Sequence, residues 1–112
     1  MRRVFRVRVD TNVNFNTNGL ANSLDRITET YARKMANDTA HGAPVDTGKL
    51  KNSFPSSVKK EGTAKWSYGS DLPYAVRQEY EHHARKGFIR KAIWDNETAY
   101  RDRIQQEVER GV

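Results

Sequence analysis

Ala43-Pro44-Val45-Asp46-Thr47-Gly48-Lys49-Leu50-Lys51-Asn52-Ser53-Phe54 is the stretch on which the chain changes character. Before it, apolar residues recur every three or four positions. After it, they alternate. Pro44 and Gly48 interrupt any continuing period, and Asp46 stands where a helix N-cap stands. The spacing predicts a motif loop and short helix over 43–53, with one or two helical turns from Thr47 to Ser53. Phe54-Pro55 is expected to stop that helix.

Upstream of this stretch, Leu24, Ile27, Tyr31 and Met35 form one stripe of an amphipathic helix. Asp25, Arg26, Glu29, Arg33 and Lys34 lie mostly off it. Ala32, Ala36 and Ala40 are small enough for close packing. Asn16-Thr17-Asn18-Gly19 is a turn and cap signal, and Gly42 and Pro44 end the element. The result is a long helix over 19–41, about 22 residues or ~33 Å. Before it, Phe5, Val7 and Val9 alternate with Arg6 and Arg8, which predicts a half-buried strand over 3–9. Val13 and Phe15 continue the odd face, but Asn12, Asn14 and Asn16 weaken a strand there.

Downstream, strands are expected within 57–80. Ser57–Lys60 and Ala64–Tyr68 read as a hairpin around Glu61-Gly62, with Trp66 and Tyr68 alternating against Lys65 and Ser67. Tyr74–Tyr80 reads as a third strand. A polar connection over 81–87 leads into a C-terminal helix over 88–110. Its stripe is Ile89, Ile93, Tyr100, Ile104 and Val108, with Ala92 and Trp94 at the border and Gly111 as the cap. Together these elements predict an α+β domain: a small, mainly antiparallel sheet packed against a long helix, completed by a C-terminal helix.

A chain of 112 residues holds one core. It buries roughly 60–70% of its unfolded surface, enough to fold without staples. There are no cysteines, which excludes disulfides and thiolate metal sites and fits a reducing cytosol. No run approaches the ~20 apolar residues of a membrane span, so no membrane association is expected. The formal charge of +6, from 20 basic and 14 acidic residues, admits a nucleic-acid or acidic partner. Against that, the basic residues are not clustered with interleaved aromatics as in single-strand binders.

Several chemical motifs are approached and missed. Asp46-Thr47-Gly48 is the triplet of aspartic proteases, whose retroviral members are homodimers sharing a proton between two carboxylates. There, apolar residues precede the triplet and a small one follows; here Pro44-Val45 precedes and Lys49 follows. Two long helical patterns also disagree with a nearly all-β protease. Gly42–Lys49 has five residues between its glycines where a phosphate loop has four, and Leu50 replaces the hydroxyl residue. His82 and His83 are adjacent, so in extended chain they point apart rather than converge on a metal. Trp66, Tyr68 and Trp94 are candidates for a pocket, but such aromatics more often serve as core or as interface anchors. No set of acids, bases and nucleophiles converges, so no enzyme, cofactor or metal is expected.

The motif segment, with the elements around it, resembles the small neck proteins of tailed bacteriophages, the head–tail joining or tail-completion family. Its members look like a long helix, then A-P-V-D-T-G-x-L-x-x-S, strands, Y-A-x-x-x-E, and a final helix opening with F-[IL]-R. This chain has Pro44, Asp46, Thr47, Gly48 and Leu50 with Ser53, then Tyr74-Ala75 with Glu79, then Phe88-Ile89-Arg90. The likeness spans roughly residues 20 to 108. It departs at Tyr80-Glu81-His82, where the family tends to have an aromatic followed by Gly-Thr. It departs again at Lys91-Ala92, where Pro-Ala is frequent.

The resemblance implies a virion structural protein. It would be a ring homo-oligomer at the head–tail interface, made in the host bacterial cytoplasm and carried in the virion. A hexamer, as in a tail-side layer, is favoured over the dodecamer that a portal-side layer would imply. Its partners would be itself and other phage neck and tail proteins, with DNA passing through the channel without sequence-specific binding. Pro44, Asp46, Thr47, Gly48 and Leu50 would have a structural role, with Trp66, Tyr74, Phe88 and Trp94 as assembly anchors. The alternative is a small basic nucleic-acid-binding protein of a prophage or mobile element.

Overall fold

Asn18–Gly42 forms one continuous helix, α1, in the computed structural model, which describes residues 5–11, 18–42, 49–70 and 87–110. Its 25 residues span about 37 Å at 1.5 Å per residue. The buried positions are Leu24, Ile27, Thr28, Ala32, Met35, Ala36, Thr39 and Ala40, a stripe of helical period. The stripe contains the expected aliphatic residues and two threonines that an apolar count passes over. Tyr31, also expected there, is only half-buried.

The remaining elements are β1 (Phe5–Asp10), α2 (Lys49–Ser56), β2 (Lys59–Gly62), β3 (Lys65–Ser70) and α3 (Phe88–Arg110). The strands form an antiparallel sheet in the order β1-β3-β2. Val7 lies opposite Tyr68 and Val9 opposite Trp66, so the apolar alternation of β1 and β3 falls on one face. That face packs on α1. Tyr68 sits fully buried with its hydroxyl 3.2 Å from Thr39 Oγ1 of the helix.

α3 lies antiparallel along α1. Thr28 Oγ1 meets Tyr100 OH at 2.9 Å, Asp38 accepts from Asn96 Nδ2 at 2.9 Å, and Gly42 abuts Phe88. Rising numbers on one helix thus meet falling numbers on the other. At the Gly42 end, a Cβ added to the glycine would lie 3.2 Å from Phe88 Cβ, so the absent side chain permits the approach. Leu24, Phe54, Tyr68, Ile89 and Tyr100 are almost wholly buried, each stabilising by about 1.5–3 kcal/mol.

The α+β architecture agrees with expectation, and three local readings are corrected. Phe54-Pro55 does not stop the short helix: α2 runs to Ser56 with Pro55 inside its last turn. Hydroxyls satisfy carbonyls at that end. Ser56 Oγ donates to the Asn52 and Ser53 carbonyls, and Ser57 Oγ and N–H both reach the Phe54 carbonyl. The hairpin does not turn at Glu61-Gly62, which belong to β2; it turns at Thr63-Ala64. Ala64 takes the positive φ of 57° that glycine would supply more cheaply. Finally, β1 extends to Asp10, one residue beyond the expected end; its expected start at residues 3–4 lies outside the described residues. The expected strand over 74–80 and the connection over 81–86 lie outside the described residues.

Candidate functional site

Among the expected motif residues, Pro44, Asp46, Thr47 and Gly48 lie outside the described residues, as does Tyr74. Leu50 lies in α2. The downstream part of the same stretch is well placed. Ser53 Oγ donates to Ser70 Oγ at 2.9 Å, and Ser57 Oγ accepts the Gly69 N–H at 2.7 Å. These two contacts stitch α2 and its exit to the end of β3. Phe54, fully buried, meets Phe88 edge-on with ring centroids 5.9 Å apart. Two segments 34 residues apart (Phe54 to Phe88) therefore close on one aromatic contact.

At the other end of the sheet a carboxylate holds the hairpin. Asp25 Oδ1 accepts the Ala64 N–H at 2.8 Å and Trp66 Nε1–H at 3.0 Å, while Lys60 Nζ reaches Oδ2 at 3.1 Å. Burial alone would push the Asp25 carboxyl upward. The bonds from Ala64, Trp66 and Lys60, with the Lys60 charge, outweigh it and hold its pKa below the ordinary value of 3.8. The same carboxylate explains why a non-glycine residue tolerates positive φ at Ala64, since that backbone donor is fixed. Asp38 follows the same logic. Burial raises its pKa, and bonds from Asn96 and Lys34, with the Lys34 and His41 charges, more than reverse the rise. Tyr100 moves the other way: burial raises its pKa, despite the Thr28 hydrogen bond and nearby Arg101.

The solvent side of the sheet is polar. Arg6, Arg8 and Asp10 of β1, Lys65 and Ser67 of β3, and Lys59 and Glu61 of β2 lie there. Arg6 Nη2 donates to Ser67 Oγ at 2.7 Å and to the Ser57 carbonyl at 3.2 Å, and Ser67 Oγ donates to Glu61 Oε1 at 2.6 Å. The Ser67 bond is the main cause holding the Glu61 carboxyl below its ordinary range. Desolvation opposes it, and Lys59, Arg6 and Arg8 add to it. A serine bonded to a carboxylate invites comparison with a nucleophile and its base. Ser67 is only 1% exposed, however, and a carboxylate with a lowered pKa is a weak base. The arrangement is a polar lattice across three strands.

The expected assembly anchors separate into two kinds. Trp66 and Phe88 are buried in the chain's own core, which corrects their reading as anchors. Trp66 is on the central strand and faces α1, and Phe88 is packed on Phe54 and against Gly42. Trp94 is 70% exposed, the one large apolar side chain at the surface of the described residues. Trp66, Tyr68 and Trp94 consequently line no common pocket. Among the described residues no group of histidines, cysteines or carboxylates could hold a metal, and no helix is long and apolar enough to cross a membrane.

Comparison with protein-family models, with curated proteins and with solved structures returns no match. The roles of Asp25 and Ser57 escape a reading of the sequence, whereas Ser53 stands in the quoted motif. Each depends on a partner brought in by the fold, and the only local signal is a polar residue beside an apolar stripe.

Proposed function

We propose that the chain is a structural subunit of the head–tail junction of a tailed bacteriophage. It assembles as a ring between the portal side and the tail tube, around the DNA channel. The reading rests on the order and spacing of the motifs from Pro44 through Ser53 to Phe88-Ile89-Arg90. The observation that supports it best is the Phe54–Phe88 contact, with Ser53 tied to Ser70 beside it. A scaffolding role for the motif is supported by the Ser53 bond to Ser70 and by the packing of the neighbouring Phe54.

A ring requires head-to-tail surfaces that close by rotation. Exposed Trp94, on the outward side of α3, is the side chain best suited to anchor such a contact, because an aromatic buried at an interface contributes strongly. A hexamer suits a tail-side layer and a dodecamer a portal-side layer. The second reading, a basic nucleic-acid-binding protein, is favoured by the +6 charge and the cationic outer sheet. Particles decide between them. Deleting the gene is expected to leave filled or leaking heads beside separate tails. Joined, infectious virions lacking this protein would refute the junction reading.

A further inference from the structure

The charges of this chain are not distributed evenly between paired and unpaired. Several helix cations are neutralised one turn away, Arg33 by Glu29, Lys34 by Asp38, Lys91 by Asp95 and Arg103 by Glu107, although Arg26 and Arg101 have no carboxylate within ion-pair distance among the described residues. On the outer sheet four cations share the nearby Glu61 and Asp10. Arg8 and Lys65 are exposed, and among the described residues neither has a carboxylate within ion-pair distance. Lys59 has only a long 3.7 Å approach to Glu61, whose nearer oxygen contact is the Ser67 hydroxyl at 2.6 Å. Arg6 is fixed by Ser67 and the Ser57 carbonyl, neither of which cancels its charge.

The strands array these groups. Arg6 and Arg8 are two residues apart on β1, roughly 7 Å along the strand. Arg8 and Lys59 both pair with Ser67, from opposite sides, which separates them by roughly 10 Å across the sheet. An open hollow of ≈ 280 Å³ is lined by Arg8, Val9, Asp10, Glu61, Lys65 and Trp66. Among the described residues the face carries four cations and two anions, and both anions are engaged, Glu61 by the Ser67 hydroxyl. Among the described residues no aromatic side chain alternates onto this face; Trp66, which lines the hollow, turns its ring toward α1.

We infer that this outer sheet face, built on Arg6, Arg8, Lys59 and Lys65, is a contact surface for the phosphate backbone of duplex DNA. Duplex DNA presents one charge per about 1.7 Å of axis, so a cation grid this size meets several phosphates whatever the sequence. A cation array on a sheet face positions a backbone and reads no bases. The orientation of the face toward the channel rests on the ring reading above. The binding itself rests only on the charges.

The test is fluorescence anisotropy of a mixed-sequence duplex with the full chain, from low to moderate salt. Wild type is expected to bind with steep salt dependence. Arg8→Ala/Lys65→Ala should lower the slope of log affinity against log salt by about two and weaken low-salt binding several-fold. Lys59→Gln/Lys65→Gln, confined to the hairpin, should do the same. Lys34→Ala/Lys91→Ala removes equal charge from the helices and should change the slope little. Circular dichroism of each variant confirms folding. Equal losses from sheet and helix variants would overturn the assignment, as would competition by polyglutamate as effective as that by DNA, or wild-type binding without salt dependence. The junction reading fails separately, through virions that join without the protein, and that result would leave the anisotropy intact.

Discussion

Asp25 offers the sharpest test of how the hairpin is held, because two substitutions there should differ by a calculable amount. Both hairpin donors end on one oxygen: Ala64 N–H at 2.8 Å and Trp66 Nε1–H at 3.0 Å reach Oδ1, and only Lys60 uses Oδ2. Asp25→Asn keeps a carbonyl oxygen in the Oδ1 position and loses the Lys60 contact. Lys60 is half exposed, so that contact contributes little. Making the other two bonds neutral rather than charge-assisted brings the expected cost to about 1 kcal/mol. Asp25→Ala removes the acceptor altogether. The Ala64 and Trp66 donors, on residues 0% and 9% exposed, are then left unpaired at about 1–3 kcal/mol each. The two losses share one site and do not add fully, so about 3 kcal/mol is expected. Urea unfolding followed by tryptophan fluorescence measures this, in a Trp94→Phe background that leaves Trp66 as the reporter. If the alanine and asparagine variants agree within about 0.5 kcal/mol, Asp25 does not anchor the hairpin.

The pH dependence has a definite sign. Asp25 and Asp38 have folded pKa values below the ordinary 3.8, so their stabilisation is complete above that value and is lost as pH falls through the lower folded values. The urea midpoint should therefore drop below pH about 4, and less so in Asp25→Asn; an equal drop in both would contradict the assignment. Phe54→Ala should cost about 3–5 kcal/mol, read from the urea midpoint, because a fully buried ring is removed from its contact with Phe88. Trp94→Ala should leave stability within about 0.5 kcal/mol and weaken ring assembly, measured by sedimentation or by the yield of joined particles.

The fold was legible where periodicity alone decides the element. Leu24, Ile27 and Met35 mark the buried side of α1, Ile89, Tyr100 and Ile104 that of α3, and Val7 and Val9 that of β1. Thr28 and Thr39 were not legible, because a threonine is buried only if a partner arrives for its hydroxyl. Those partners are Tyr100 and Tyr68, which are 72 and 29 residues away. The turn was misplaced for a similar reason. Glu61-Gly62 is the better local turn signal, yet Asp25 fixes the Ala64 N–H from 39 residues away and outweighs it. Pro55 was read as a stop because its ring and missing donor disfavour a helix interior. In the last turn of an eight-residue helix that penalty is small, and Ser56 and Ser57 offset it.

The segment around Ser53 and Phe54, at the end of the motif, faces inward. Phe54 is fully buried, and Ser53 bonds to Ser70, itself 2% exposed. Residues so placed govern whether the chain folds and cannot select a partner. If the chain assembles as proposed, exposed positions are left to select its partners, chiefly Trp94 on α3 and the exposed cations of the outer sheet. The two sets share no residue, and substitutions should sort cleanly between them. Changes at Ser53, Phe54 or Phe88 should move the urea midpoint and alter assembly only through lost folded protein. Changes at Trp94, Arg8 or Lys65 should leave the midpoint in place and alter association. A Phe54 variant that folds with wild-type stability and still fails to assemble would break this division, and would place the motif at an interface rather than in the scaffold.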